Sequence, residues 1–516
     1  MRRNLSSVFV IGLLFLISAP IMVNLNLQVK LDLTKSKSDH ISTTSPVDAF
    51  SEDKLLSTND LTYNHHVEPS LAISDNGTVF AGWKNSETYN GGGAQVSFAK
   101  SGNGGDTWSY PTNMANFDYR RTRKSDPWLI WHDGSIYYAY LEFSVNDDSL
   151  SQITVARSSD YGETWSRVAA SYGSYFADKE TMVISDNGTI FVAYDDIDTN
   201  PAGHTTVRLT RSVDGGDTFD ELSVISPSAD GHVGPYLTLN GKSDVFVAWT
   251  YLYEEGGNLL IDNSTDFGET FGEDRIINSD GNYSAFTYVD DRVAKATLPV
   301  IRFDSHNRLY CLWADTYDPA AGSFDVYLRY SEDAGFTWSD RILINHIVEG
   351  DQWLPDMDID SNDNLHIVYY SEQFNHYKPY YRMVSFTGPS RDVAVLSDPI
   401  GVTGALTSSE FTRPGDYCTI RLDSDDIPHV VWTDGRYNEM DIFYSHGIRS
   451  EPTSTETSTT TTTESTDSTT INTDTTGNTE STETASSQLG LIVGGVIGFT
   501  IVLAVAIVVL REREVT

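Results

Sequence analysis

Short apolar runs separated by polar turns recur along the whole middle of the chain. In each repeat an apolar strand, usually entered through Pro, meets a polar turn and then a second apolar strand ending in Trp or Tyr. The first repeat reads Glu68-Pro69-Ser70-Leu71, then Asp75-Asn76-Gly77, then Val79-Phe80-Ala81-Gly82-Trp83. The closing aromatic recurs at Tyr140, Tyr194, Trp249, Trp313, Tyr369 and Trp432, which makes seven repeats. The entry position recurs as Pro127, Glu180, Pro235, Pro299, Pro355 and Asp416. Entry and aromatic are 13 or 14 residues apart in six repeats and 16 in the last. A third strand, such as Val326–Tyr330, and a fourth, such as Arg341–Ile344, complete the repeat. Four short strands per repeat, with turn residues between them, are the pattern of a propeller blade.

An octapeptide, S-x-D-x-G-x-T-[W/F], stands between the third and fourth strands. It is Ser331 to Trp338, with full copies at Ser158 to Trp165, Ser212 to Phe219 and Ser264 to Phe271. A further copy, Ser101 to Trp108, carries Asn103 in place of Asp. Asn103, Asp160, Asp214, Asp266 and Asp333 lie 57, 54, 52 and 67 residues apart, a spacing of repeat units. A short Asp or Asn side chain accepts hydrogen bonds from its own turn. Gly105, Gly162, Gly216, Gly268 and Gly335 supply the residue that takes positive φ at no steric cost. The closing aromatic is an apolar anchor. Five equivalent positions around one fold are read as structural corners rather than as an active site.

This octapeptide resembles the Asp-box, or BNR repeat, of sialidases and related β-propellers. The resemblance implies an all-β fold with structural boxes between the third and fourth strands of each blade. Sialidases of that kind have six blades; seven-bladed Asp-box propellers also occur. The repeat count here predicts one propeller of about seven four-stranded blades over 48–449, with a six-bladed ring as the alternative. Repeat six has lost its box, and repeat seven stops at Tyr444-Ser445 before a fourth strand. Phe50 to Leu56 resembles Phe271 to Ile277, so residues near 54–58 are expected to supply the missing outer strand and close the ring.

The chain ends differ from the repeats. Met1-Arg2-Arg3 and the apolar run Val8–Val23 predict a signal peptide or N-terminal anchor over 1–25, followed by a linker over 26–47. Residues 450–487 are rich in Thr, Ser and Glu and cannot bury a core, so a disordered stalk is expected. Leu489–Leu510 carries no charge and is long enough to span a bilayer as a helix, within 488–510. The tail 511–516 holds two Arg and is expected in the cytoplasm. The predicted protein is a single-pass membrane protein with an extracellular propeller.

Composition narrows the function. A formal charge of −39 excludes nucleic acid as a partner and suits an extracellular surface. Cys311 and Cys418 fall in repeats five and seven, too far apart to pair. No metal or cofactor motif is recognised: Asp356 to Asn364 has the look of a calcium loop but, counted from Asp358, lacks its Gly and its final Glu, and Asp360 to Asn364 aligns with a plain turn.

Candidate chemistry lies where strands begin and end at one end of the ring. Two residues after the closing aromatics stand Asn85, Glu142, Asp196, Tyr251, Asp315, Ser371 and Asp434. Beside the entries stand Glu68, Asp126, Glu180, Tyr236, Asp356, Arg413, Asp416 and Tyr417. From these, Asp126, Glu180, Asp356, Arg413, Asp416, Tyr417, Asp434 and Arg436 are the candidates for a site. The resemblance implies, for a sialidase, three Arg clamping a carboxylate, a Tyr nucleophile paired with Glu, and an Asp acid/base. A general glycosidase needs only two facing carboxyl groups. The expected function is recognition of a glycan or surface protein; the alternatives are an exo-acting glycosidase such as a sialidase, and a structural envelope component.

Overall fold

Among the described residues, seven antiparallel sheets of four or more strands and one two-stranded sheet follow one another along the chain. The computed structural model describes residues 47–449 apart from 59–61, 88–92, 118, 145, 148–149, 172–174, 199–203, 227–230, 242, 254–255, 280–285, 290–291, 297, 317–322, 348, 389 and 409–413. The leader, the stalk, Leu489–Leu510 and Arg413 therefore lie outside the described residues. No described residue is helical.

Blade 1 is His65–Ile73, Val79–Ser86, Gln95–Ser101 and Thr112–Asn113. Blades 2 to 5 repeat this order, beginning at Arg123–His132, Phe176–Ile184, His232–Asn240 and Val300–Phe303. A hairpin, Phe286–Val289 with Arg292–Ala296, stands between blades 4 and 5. Blade 6 begins at Gln352–Ile359, and its long third strand, His376–Thr387, also pairs with Ile400–Gly401 and Thr407–Ser408. Blade 7 consists of Thr419–Leu422, Pro428–Asp434 and Asp441–Ile448. Its outer edge is covered by the start of the chain. Lys54 and Leu55 pair with Tyr444 and Phe443, and Ala49 and Phe50 pair with Ile448 and Gly447. The start of the chain and the last repeat thus share one sheet, which covers an otherwise open edge.

The seven closing aromatics are all buried. Truncating one to Ala costs about 3–5 kcal/mol in a packed core. Strand register fixes which residues are equivalent. The residue before each closing aromatic pairs with one inner-strand residue: Gly82 with Ser70, Ala139 with Trp128, Ala193 with Thr181, and Ala248 with Tyr236. Leu312 with Val300, Val368 with Asp356 and Val431 with Thr419 continue the series. In blade 7 the position matching Pro69 is therefore Cys418, not Asp416. This corrects the spacing of 16 in the last repeat to the 14 found in five of the others. Cys311 and Cys418 are both free and buried.

The five octapeptide turns share one hydrogen-bond pattern. In blade 2, Gly162 N donates to Ser158 Oγ at 2.8 Å, and Thr164 N and Oγ1 donate to the Asp160 carboxylate at 2.9 and 2.6 Å. Blades 3, 4 and 5 repeat these bonds at Asp214, Asp266 and Asp333, and Asn103 accepts from Thr107 N at 3.0 Å. Hydrogen bonds from Thr218 and Ser212 hold the Asp214 carboxyl below the usual range, and those from Ser264 and Thr270 hold Asp266 at about 2. The turns also tie blade to blade. Lys100, Arg157 and Arg211 each precede a turn and reach the next one, bonding Glu163, Gly215 O and Glu269 at 2.6–2.7 Å. Tyr444 of blade 7 donates to Gly104 O of blade 1 at 3.0 Å, across the closure.

Candidate functional site

The first strands of all seven blades line one cavity on the propeller axis. Near the start of most of these strands the chain makes a bulge. The residue before the Pro position takes positive φ: 57° at Glu68, 52° at Asp126, 50° at Lys179, 65° at Gly234 and 45° at Leu354. The ladder register shifts at each of these points. A bulge frees one residue from pairing and re-aims its side chain. Glu68, Asp126 and Lys179 thereby hold left-handed backbone at a cost that Gly would not incur. The equivalent residue of blade 7 is Tyr417.

This ring is chemically one-sided. Blades 7, 1, 2 and 3 contribute Tyr417, Glu68, Asp126 and Lys179. Blades 4, 5 and 6 contribute Gly234, Leu298 and Leu354 at the same position. On the polar side Tyr417 OH donates to Asp126 Oδ1 at 3.0 Å. Lys179 Nζ donates to Asp416, and Lys84 Nζ donates to Glu68. Carboxylate oxygens of Glu68, Asp126 and Asp416 lie within 4.8 Å of one another. Asp195 accepts from Gly234 N at 3.0 and 3.1 Å. Gly415, with φ of 92°, brings blade 7 against Glu68; a Cβ there would lie 2.4 Å from Glu68 Cγ.

Six carboxyl groups (Glu68, Asp126, Asp178, Glu180, Asp195 and Asp416) thus share two ammonium groups, Lys84 and Lys179. The protonation states follow. Burial, then the charge of Asp126, pushes Asp178 up to about 7. Burial raises Glu68 despite Lys84, and raises Glu180 and Asp195 well above the carboxylate range. Burial acts to lower Lys179, but Asp416, Asp126 and Asp178 outweigh it and hold the ammonium charged. The Tyr417 phenol is raised by burial and by the surrounding carboxylates. Such a set can donate a proton, accept one, or bind a cation.

Across the cavity, Asp356 accepts from Arg421 Nη1 at 2.7 Å, Ile420 N at 3.1 Å and Tyr236 OH at 3.4 Å. Arg302 lies over the Tyr236 ring at 5.0 Å. The cavity has about 50 Å³ of room, enough for a few water molecules or one ligand substituent.

Of the residues singled out from the sequence, Asp126, Glu180, Asp416 and Tyr417 come together on the polar side. Asp356 lies on the facing wall. Asp434 and Arg436 instead bond each other at 2.5 Å, with Thr407 on Asp434 and Asp53 on Arg436. The other residues two places after the aromatics are likewise bonded in the sheets, Asn85 to Ser97, Glu142 to Thr154 and Asp315 to Arg341. The second-strand residues that reach the axis are Lys84 and Asp195, directly after the aromatic. Strand alternation sends the next residue to the opposite face. Lys84, Asp178, Lys179 and Asp195 are additions that sequence reasoning missed. Matching the residue before each Pro position would have found Lys179 beside Glu68 and Asp126. The Asp360–Asn364 stretch is a turn, in which Asp360 accepts from Asn362 N and Asn364 N at 2.9 and 2.8 Å.

No protein-family model matches the chain, and no curated protein matches it. Solved structures that it is similar to include a Hadza microbial sialidase, at 16% identity over 61% of this chain and 66% of that one, TM-score 0.45. An ulvan lyase of a new polysaccharide lyase family is similar at 12% identity over 75% and 95%, TM-score 0.49. An α-L-arabinofuranosidase of Fusarium graminearum is similar at 13% identity over 77% and 97%, TM-score 0.42. At these identities the likeness concerns the fold.

Proposed function

We propose that the protein is a surface propeller that recognises neutral glycans through the polar half of its axial ring. The one-sided ring of Tyr417, Glu68, Asp126 and Lys179 opposite Gly234, Leu298 and Leu354 carries this reading. It offers clustered acceptors, a phenol and an ammonium to sugar hydroxyls on one side and an apolar face on the other. The cavity receives a substituent while the sugar sits above it. Export by the leader, the Ser/Thr-rich stalk and anchoring by Leu489–Leu510 hold this site outside the cell. The turns at Asn103, Asp160, Asp214, Asp266 and Asp333 are Asp-boxes in this reading.

The excess of carboxyl groups disfavours an anionic sugar. A sialoside would need an arginine clamp, whereas the cations among the described residues of the cluster are Lys84 and Lys179, and Arg421 is engaged by Asp356. Hydrolysis of a neutral glycoside is the second reading. It is favoured by Glu180, which burial keeps protonated, standing in the field of Asp126, which Tyr417 hydrogen-bonds.

The test is a glycan array with the full-length chain, beside a panel of neutral fluorogenic glycosides and a sialoside. Binding of neutral glycans, lost in Asp126→Asn, supports recognition. Turnover lost in Glu180→Gln and Asp126→Asn moves the reading to hydrolase. Binding or turnover confined to the sialoside rejects the neutral-glycan assignment, and silence in both assays rejects the glycan reading.

A further inference from the structure

Four Asn-x-Ser/Thr sequons stand in the propeller, at Asn76, Asn187, Asn263 and Asn282. Such a sequon is the acceptor pattern for an N-linked glycan. Asn282 lies outside the described residues. Asn263 is half-buried on the third strand of blade 4, and its Oδ1 accepts from Arg275 Nη2 at 2.6 Å. Asn76 and Asn187 are exposed and take the same place in the first turns of blades 1 and 3. In each turn the carboxamide oxygen is held inward. Asn76 Oδ1 accepts from Ser74 Oγ at 2.6 Å and from Thr78 N and Oγ1 at 3.2 and 2.9 Å. Asn187 Oδ1 accepts from Ser185 Oγ at 2.5 Å and from Thr189 N at 3.1 Å. An oxygen fixed in this way turns Nδ2 outward.

Across the blade boundary the same two places stand apart again. The residue before the octapeptide Gly has positive φ in all five turns. It is Gly104, Gly215 and Ala334 in blades 1, 3 and 5, but Tyr161 and Phe267 in blades 2 and 4, with φ of 59° and 61°. A bulky side chain in left-handed backbone is strained, and such strain clusters at functional sites. Blades 2 and 4 are the ones that follow the two exposed sequons. Tyr161 OH accepts from Asn76 Nδ2 at 3.2 Å. Lys100 Nζ donates to Tyr161 O at 2.9 Å and Arg211 Nη1 to Phe267 O at 2.8 Å, so Phe267 stands toward blade 3 as Tyr161 stands toward blade 1. Both rings are more than a third exposed. Asn76 also opens on a groove of about 600 Å³ lined by Thr107, Trp108 and Tyr161, a size that takes a small ligand.

We propose that Asn76 and Asn187 carry N-linked glycans whose first sugars pack on Tyr161 and Phe267 of the next blade. The negative π face of a ring attracts the polarised C–H edge of a sugar. The donor is a sugar activated on a lipid-linked phosphate. The bond from sugar C1 to the phosphate oxygen breaks, C1 bonds Nδ2, and one amide proton passes to the phosphate. The second N–H of Asn76 remains to donate to Tyr161. Both turns lie at the opposite end of the first strands from the bulges, so the sugars leave the axial cavity open. The proposal rests on export of the chain, not on what the axial ring binds.

Peptide mass spectrometry of the full-length chain, made in a host with N-linked transfer, tests the assignment. Glycan is expected at Asn76 and Asn187, with Asn263 bare. Seating on the rings is read by comparing this chain with bare chain from a bacterial host that lacks the transferase. The glycosylated wild type is expected to melt higher by on the order of 1–4 °C. In Tyr161→Ala/Phe267→Ala that difference should vanish, as coupling between sugar and ring requires. Ala334 already holds this position in blade 5, so the variant should fold. Bare Asn76 and Asn187 on a chain that reaches the cell surface overturn the proposal alone. Bare asparagines on a chain retained inside overturn it together with export. Equal occupancy of Asn263 overturns the selection of these two turns. No difference in melting, or an undiminished one in the variant, overturns the seating on the rings.

Discussion

Asp214 at the rim and Glu180 at the axis are both acidic side chains where a strand meets a turn, yet nothing else about them agrees. Asp214 is exposed and accepts hydrogen bonds from Thr218, Ser212 and the turn backbone, which hold it ionised. Glu180 is buried, no other residue bonds it, and burial holds it protonated. The other rim turns behave as Asp214 does, and Glu68, Asp178 and Asp195 shift as Glu180 does. A carboxylate whose acceptor capacity is filled by its own turn has little left for a ligand. A group of carboxyl groups short of donors retains that capacity, at a cost in stability. The difference separates the part that builds the ring from the part placed to act.

The strongest break of this comparison would be a rim residue that controls ligand binding. Asp126→Asn at the axis is expected to lower glycan binding by about 10–100-fold, or turnover if present by about 10²–10⁴-fold, while the melting temperature stays near that of the wild type. Gly105→Ala reverses the pattern. It places a side chain at φ of 101° and within 2.0 Å of Tyr444, across the ring closure. Urea unfolding should show a loss of about 1–3 kcal/mol, with affinity unchanged in the folded fraction.

Acid sharpens the contrast. Asp266 is held at about 2, below its unfolded value of about 3.9. Its contribution is therefore present above about pH 4 and lost as the pH falls through 2. Asp266→Asn should melt lower than the wild type at pH 7, and the two should converge near pH 2. The smallest effect is expected at Glu180→Gln. Removing an unpartnered buried acid should leave the melting temperature at pH 7 unchanged or slightly raised, by differential scanning calorimetry.

The fold was legible because its signals are local and repeated. Seven closing aromatics, five turns and the likeness of Phe50–Leu56 to Phe271–Ile277 each report on a neighbourhood of a few residues. The site was legible only in part, because it is assembled across blades. Asp126, Glu180, Asp416 and Tyr417 stand beside recognisable entry positions. Lys179 was hidden by a one-residue difference between the entry and the bulge, and Lys84 by strand alternation. Asp434 and Arg436 sit at plausible positions, but their own pairing with each other and with Asp53 occupies them. No sequence signal distinguishes a carboxylate paired in this way from an unpaired one.

The most direct test measures Asp126→Asn and Asp214→Asn side by side for glycan binding and thermal unfolding. Loss of binding without loss of stability in the first, and loss of stability without loss of affinity in the second, is the predicted result. Retained binding in Asp126→Asn, or lost affinity in a folded Asp214→Asn, would contradict the assignment of function to the axis.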